Sequence, residues 1–487
     1  MRPFRAWLSA AGVIGGVVAV ASATTSMNSS EDMSTGVSMV AMSLNAPTTS
    51  AAPTTFTPVS RTSVPWADRF EAATAASGAM VSAEQDTAVL DPVMRLQAKL
   101  DAGTVTLAHD SILGYLPAVL KALDIPVSSQ MLVFSRTSLQ TDKITPWSPR
   151  ALYFNDDVYV GYVFDSDFLE IAAVHPTAGG RFYTFGQAER DKPRFSKETT
   201  TCLMCHHSRS VTGGVPGFMV LSTITDRHGY PITGVHDGPT TDATPLRQRF
   251  GGWYVTGTYG TVGHAGNVYA PLLSGQVSDK AQFRAKFEPR AESQLPNLSG
   301  KFDSTYYLTT QSDIVAIMVL THQTILHNLI TATHEAAREA VMEAAIAPPE
   351  ARQAGPVVTP RLRGAVETLV RGMLFVNEAS FEAPVRGSTR FAEEFMARGP
   401  RDPKGRSLRA LDLDKRLFKY RLSFLVYSEA FDALPELAKR AVYTRLYGIL
   451  NGTDRTPDLQ NISAEDRRDV LEILTATKPE FARLRGS

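Results

Sequence analysis

The chain holds only two cysteines among its 487 residues, and they stand three apart in Thr201-Cys202-Leu203-Met204-Cys205-His206-His207. Two thiols at this spacing can each form a thioether to one of the two vinyl groups of a haem. The histidine that follows directly reaches the iron from the same side. The run therefore predicts one covalently bound haem c, attached through Cys202 and Cys205, with His206 as axial iron ligand. Two other uses compete. A redox disulfide needs only C-x-x-C and leaves His206 without a task. A zinc site built from Cys202, Cys205, His206 and His207 would need adjacent histidines to converge on one ion, and it lacks the separated second ligand pair usual in zinc modules.

The chemistry turns on the opposite face of the iron. A Met or His there gives a six-coordinate haem suited to passing electrons, whereas an open polar pocket admits peroxide or oxygen. His264, in the glycine-flanked Gly263-His264-Ala265-Gly266-Asn267, and His322 and His327, in a predicted helix opening at Asp313, are the candidates for a second axial ligand or a distal pocket. At about 100° per residue, His322 shares a side with Ile314, Met318, Ile325 and Leu329, while His327 and His334 lie roughly opposite. Each of these histidines also reads as a hydrogen-bonded core residue. Met219 sits in an apolar run and reads first as packing, Met204 lies inside the attachment turn, and His207 follows the proximal ligand too closely to reach the other face. Arg209, Arg247 and Arg249 suit haem propionates, and Trp253, Tyr254 and Tyr259 suit either a haem edge or the core.

The C-x-x-C-H run resembles the attachment signature of c-type cytochromes, matched residue for residue by Cys202, Cys205 and His206. The resemblance implies haem c and leaves the reaction open. The wider segment, with Gly213-Gly214-Val215-Pro216-Gly217 and the run RFGGWYVTGTYG from Arg249 to Gly260, resembles a group of large bacterial single-haem proteins. It departs from small electron carriers in bulk: about 100 residues suffice to wrap one haem, and here about 400 remain for folded structure.

The elements that must position the motif follow from the rest of the chain. Arg2 and Arg5 precede the uncharged stretch from Ala6 to Val20, which ends in Ala21-Ser22-Ala23, the order of parts in a secretory signal peptide cleaved after Ala23. An uncleaved N-terminal anchor is the alternative. Export to the periplasm agrees with haem c, which is assembled on the oxidising side of a bacterial membrane. Residues 24–87, rich in Ser, Thr, Ala and Pro, read as a disordered linker whose Met27, Met33, Met39 and Met42 are composition rather than a metal site. No later segment reads as a membrane span, so no transmembrane domain is expected after signal cleavage. The 49 basic residues balance 49 acidic ones, which leaves no overall field to attract nucleic acid.

Residues 88–487 read as one globular region of α+β class, mainly α, with a mixed part over 88–304 and a helical part over 305–487. Helices are predicted around Val93–Leu100 and Ile112–Leu123. An antiparallel meander follows, with a hairpin turn at Asn155-Asp156-Asp157 between Ala151–Phe154 and Val158–Phe164, then Phe168–Val174 and Arg181–Phe185. A second hairpin is predicted from Phe218–Thr225 and Tyr230–Val235. The helical half is read as Asp313–Ile346, stopped by Pro348-Pro349, then Arg361–Asn377, Leu411–Leu434, Pro435–Leu450 and a terminal helix opened by a capping box at Ser463–Asp466. The expectation is an exported c-type cytochrome that passes electrons in the periplasm, its partner a redox protein or a small-molecule oxidant. The alternative is a haem enzyme of peroxidase or oxygenase type with an open distal site.

Overall fold

A computed structural model describes residues 89–232, 238–270, 294–353, 355–454 and 456–484. The predicted signal peptide, the linker and the far end of the second predicted hairpin lie outside the described residues.

Six strands follow one another as an antiparallel meander: β1 (Met131–Val133), β2 (Arg150–Phe154), β3 (Val158–Tyr162), β4 (Phe168–His175), β5 (Gly179–Gly186) and β6 (Phe195–Glu198). A seventh, β7 (Trp253–Tyr254), returns beside β1 and completes the order β6-β5-β4-β3-β2-β1-β7. The β2–β3 turn closes as predicted, because Asn155 Oδ1 accepts from the N–H groups of Asp157 and Val158.

Side chains alternate between the two faces of the sheet. Leu132, Ala151, Tyr153, Val158, Val160, Ile171, Ala173, Tyr183 and Phe185 pack on one face under the first helices, α1 (Pro92–Asp101) and α2 (Leu116–Ala122). Asp91 caps α1 by accepting from Val93 and Met94, and its second oxygen takes the Tyr183 hydroxyl, tying the helix to the sheet. Leu152, Phe154, Tyr159, Ala172, Val174 and Phe182 form the other face and join the core shared with the helical half.

Two single-turn helices, α3 (Leu203–His206) and α4 (Arg209–Thr212), follow β6. The centre of the second core is α5 (Ile314–Ile346), whose N-cap Asp313 accepts from Val315 and Ala316 with one oxygen and from Ser388 and Thr389 with the other. Against the expectation that no later segment reads as a membrane span, α5 is by length and composition apolar enough to cross one; 94% of its most apolar stretch is buried within the protein. Its side chains are enclosed on nearly all sides, as the apolar run predicts. After α6 (Pro349–Gln353), α7 (Pro360–Met373) packs along α5, with Gly372 set against Leu329 where any Cβ would come within 2.8 Å. A two-stranded pairing of β8 (Thr258–Tyr259) with β9 (Val385–Arg386) stitches the two halves. The chain ends in α8 (Phe391–Ala397), α9 (Glu429–Asp432), α10 (Glu436–Leu450), α11 (Ala464–Thr477) and α12 (Pro479–Leu484).

The α+β, mainly α, class therefore holds, and three predicted elements are corrected. Leu411–Leu434 is not one helix: Asp412 turns the chain by accepting from Asp414 and Lys415, Leu413 sits at a φ of 62°, and Ser423 and Ser428 start a short 3-10 turn and α9. The helix expected from Ile112 begins only at Leu116, because Asp110 holds the amides of Ile112 and Leu113 in a turn. The turn at Asp226–Gly229 exists, with Asp226 Oδ1 accepting from His228 and Tyr230, but its flanks meet in isolated bridges rather than a strand ladder.

Candidate haem-attachment site

The motif folds as one helical turn. His206 N–H donates to Cys202 O at 3.0 Å and His207 N–H to Leu203 O at 3.0 Å, so the cysteines, three apart, project from the same side of α3. Cys202 is half-buried and packs with Leu203 against the second core, whereas Cys205 is exposed; both are free thiols. Burial, with the charges of Glu198 and Glu170 adding to it, pushes the Cys202 thiol up to about 11. A thiol this reluctant to ionise is a poor redox nucleophile at neutral pH.

His206 lies against Phe182, the ring centres 4.6 Å apart. Its Nδ1 is 2.9 Å from Gly217 O. A carbonyl only accepts, so Nδ1 carries the proton and Nε2 carries the lone pair. Burial holds the imidazole below its usual pKa, which keeps it neutral. Metal-bound histidines almost always donate their other ring N–H in this way, which fixes the tautomer and raises the basicity of the ligating nitrogen. The residues therefore fit a haem c: two thiols on one side of a helical turn, and beside them a neutral, oriented imidazole with Nε2 as acceptor.

Next to the motif the sheet face turns polar. Gly161, Glu170 and Thr184 are cross-strand neighbours on β3, β4 and β5. The Arg150 guanidinium lies over Gly161, where a Cβ would come within 2.6 Å of it, and pairs with Glu170 at 2.5 Å. Thr184 donates to Glu198 at 3.1 Å. The charges of Arg150 and Glu170 act on both Cys202 and His206, in opposite senses. Arg150 Nε is a buried donor without an acceptor.

The other singled-out residues are spread through the fold. His327 is the nearest by contact: its ring sits 6.0 Å from Phe218, which in turn packs on Phe182 beside His206. Its Nε2 donates to Asp156 O at 2.9 Å, its Nδ1 is buried without a hydrogen bond, and burial pushes its pKa down to about 4. His322 has both nitrogens engaged, Nδ1 with Asp242 Oδ2 at 2.7 Å and Nε2 with Ser423 Oγ at 2.8 Å, and it stacks on Phe375. These are the distances of a nucleophilic triad, but Ser423 is fully buried, its hydroxyl bonded to His322 and accepting from Leu425 N–H. His264 is buried against Phe250 and accepts from Gly266 through Nδ1 at 3.1 Å.

His207 is exposed and bonds Gly214 O through Nε2, Met204 is 78% exposed, and Met219 lines a small cleft with Val211, Thr240 and Thr324. Arg209 is exposed, and Arg247 pairs with Glu382. Arg249 is buried and donates to the carbonyls of Asp242 and Thr244, so it serves the loop rather than a propionate. Trp253, Tyr254 and Tyr259 are core residues, the first two donating to Leu221 O and Pro146 O.

Reasoning from the sequence missed Arg150, Glu170 and Phe182. They meet the motif only through strand pairing, and nothing in the local pattern marks them. Comparison with protein-family models, with curated proteins and with solved structures gave no match.

Proposed function

We propose that the protein is an exported c-type cytochrome. It would hold one haem c by thioethers from Cys202 and Cys205, with His206 as an axial iron ligand, and pass electrons in the periplasm to a redox protein or small-molecule oxidant. The observation that carries this reading is the hydrogen bond from His206 Nδ1 to Gly217 O, which leaves Nε2 as the ligating atom of a C-x-x-C-H turn. When bound, the haem supplies an iron that cycles between ferrous and ferric states. The chain's own part is to fix the ring by two covalent bonds, to present Nε2, and to keep that imidazole neutral by burial. Exposed Cys205 sets one edge of the attachment turn at the surface, where electrons can pass to a partner without entry of substrate.

A second reading, a peroxidase or oxygenase with an open distal site, is favoured by the Arg150–Glu170 pair, a charged couple on the polar part of the sheet face next to the motif. The deciding experiment expresses the full chain with haem c maturation machinery and records ferric and ferrous spectra with and without carbon monoxide. A covalent low-spin haem indifferent to carbon monoxide supports the electron carrier, and a high-spin haem that binds it supports the enzyme. A protein that never acquires covalent haem overturns both.

A further inference from the structure

The Gly217 carbonyl that orients His206 is itself held in place from two directions. Asn328, 6% exposed on α5, bonds both ways to one residue: its Oδ1 accepts from Phe218 N–H at 2.8 Å and its Nδ2 donates to Phe218 O at 2.8 Å. The amide thereby pairs with both backbone groups of one residue, as a neighbouring strand would. Gly217 makes room for it, since a Cβ there would stand 2.2 Å from Asn328 Oδ1. On the other side, Gly180 N–H donates to Pro216 O at 2.7 Å. Gly179, at a φ of +74°, lies where a Cβ would meet both Pro216 O and Thr331, one turn beyond His327 on α5. The segment from Pro216 to Phe218 is thus gripped between the start of β5 and the core helix, where Asn328 hydrogen-bonds Phe218 and the His327 ring meets its ring edge-on.

We propose that Asn328 is a positioning residue for the axial ligand: by clamping the Phe218 peptide it holds the Gly217 carbonyl against His206 Nδ1 and so tunes the redox potential of the iron. This rests on the haem reading above. A firm bond at Nδ1 makes the imidazole a stronger donor and favours the ferric state. Loosening the clamp weakens that donation and moves the midpoint potential positive.

Two variants of the haem-loaded full chain test it by spectroelectrochemical titration. Asn328→Leu removes both bonds to Phe218 without adding a charge, and Gly217→Ala pushes on Asn328 from the opposite side. Both should move the midpoint potential positive, and the double variant no further than the larger single shift, because both act through one contact. Variants that lose thermal stability while keeping the wild-type potential would show a merely structural amide and overturn the proposal. Additive shifts would overturn it too. Should either variant fail to fold, amide exchange of the wild-type protein decides: Phe218 N–H should be as protected as the α5 amides around Asn328, and fast exchange rules the clamp out. Failure of the underlying reading is distinct, since the wild-type chain would then carry no covalent haem by mass.

Discussion

His206 and Gly217 are joined twice: the Gly217 N–H donates to the His206 carbonyl at 2.8 Å, and the Gly217 carbonyl accepts from His206 Nδ1 at 2.9 Å. The backbone bond fixes where the loop crosses the helical turn, and the side-chain bond fixes the ring on that turn. An imidazole on a short exposed turn would otherwise sample several rotamers, each lost at an entropic cost on binding metal.

The thiols provide the most direct check. Cys202→Ser and Cys205→Ser should each leave a single thioether and shift the ferrous α band to longer wavelength, whereas the double variant should release its haem into acidified organic solvent. Haem retained by the double variant would place the attachment elsewhere.

The Arg150–Glu170 pair predicts a cost in stability. Both side chains are largely buried, 22% and 12% exposed, so Glu170→Gln leaves a poorly solvated guanidinium facing a neutral amide. The loss should be about 3 kcal/mol in urea unfolding. A loss below about 0.5 kcal/mol would mean that water screens the pair as it does at a surface.

His322 should behave as a core residue. Replacing it with Phe removes the partner of both Asp242 and Ser423 and should cost about 2 kcal/mol of stability, with the haem spectrum unchanged. A changed spectrum would instead connect this chain of hydrogen bonds to the iron.

A pH dependence follows from Glu378. Burial, helped by the charge of Asp242, raises its carboxyl from 4.5 to about 7. The folded protein then holds this proton more tightly than the unfolded chain, so the group's stabilising contribution is complete below pH 4.5 and is lost as the pH rises through about 7. Glu378→Gln keeps an acceptor for Leu417 N–H and should flatten the fall in stability between about pH 5 and about pH 8. Asp157 and Glu335, both raised to about 7 by burial, account for a slope that remains. An undiminished slope would show that water reaches the Glu378 carboxylate.

What was legible in the sequence was whatever local chemistry decides. The extended runs Val158–Phe164 and Phe168–Val174 about the Asn155-Asp156-Asp157 turn marked strands that end at Tyr162 and His175, Asp313 before an apolar run marked the start of α5, and the spacing of Cys202, Cys205 and His206 marked the candidate site. The surroundings of that site were not legible, because they are set by register and by packing over distance. Arg150 and Glu170 are brought together by strand pairing, and Asn328 meets Phe218 across 110 residues. The predicted helix over Leu411–Leu434 failed for the opposite reason: its apolar spacing was helical, but the side chains of Asp412, Ser423 and Ser428 offered the backbone local partners that a helix does not.

That separation of 110 residues also imposes an order in time. On a chain that emerges from its N-terminus, Cys202, Cys205 and His206 are present well before the helix that will lock their neighbouring loop. Only after α5 has followed can Asn328 bond Phe218, beside the Gly217 carbonyl that His206 Nδ1 meets.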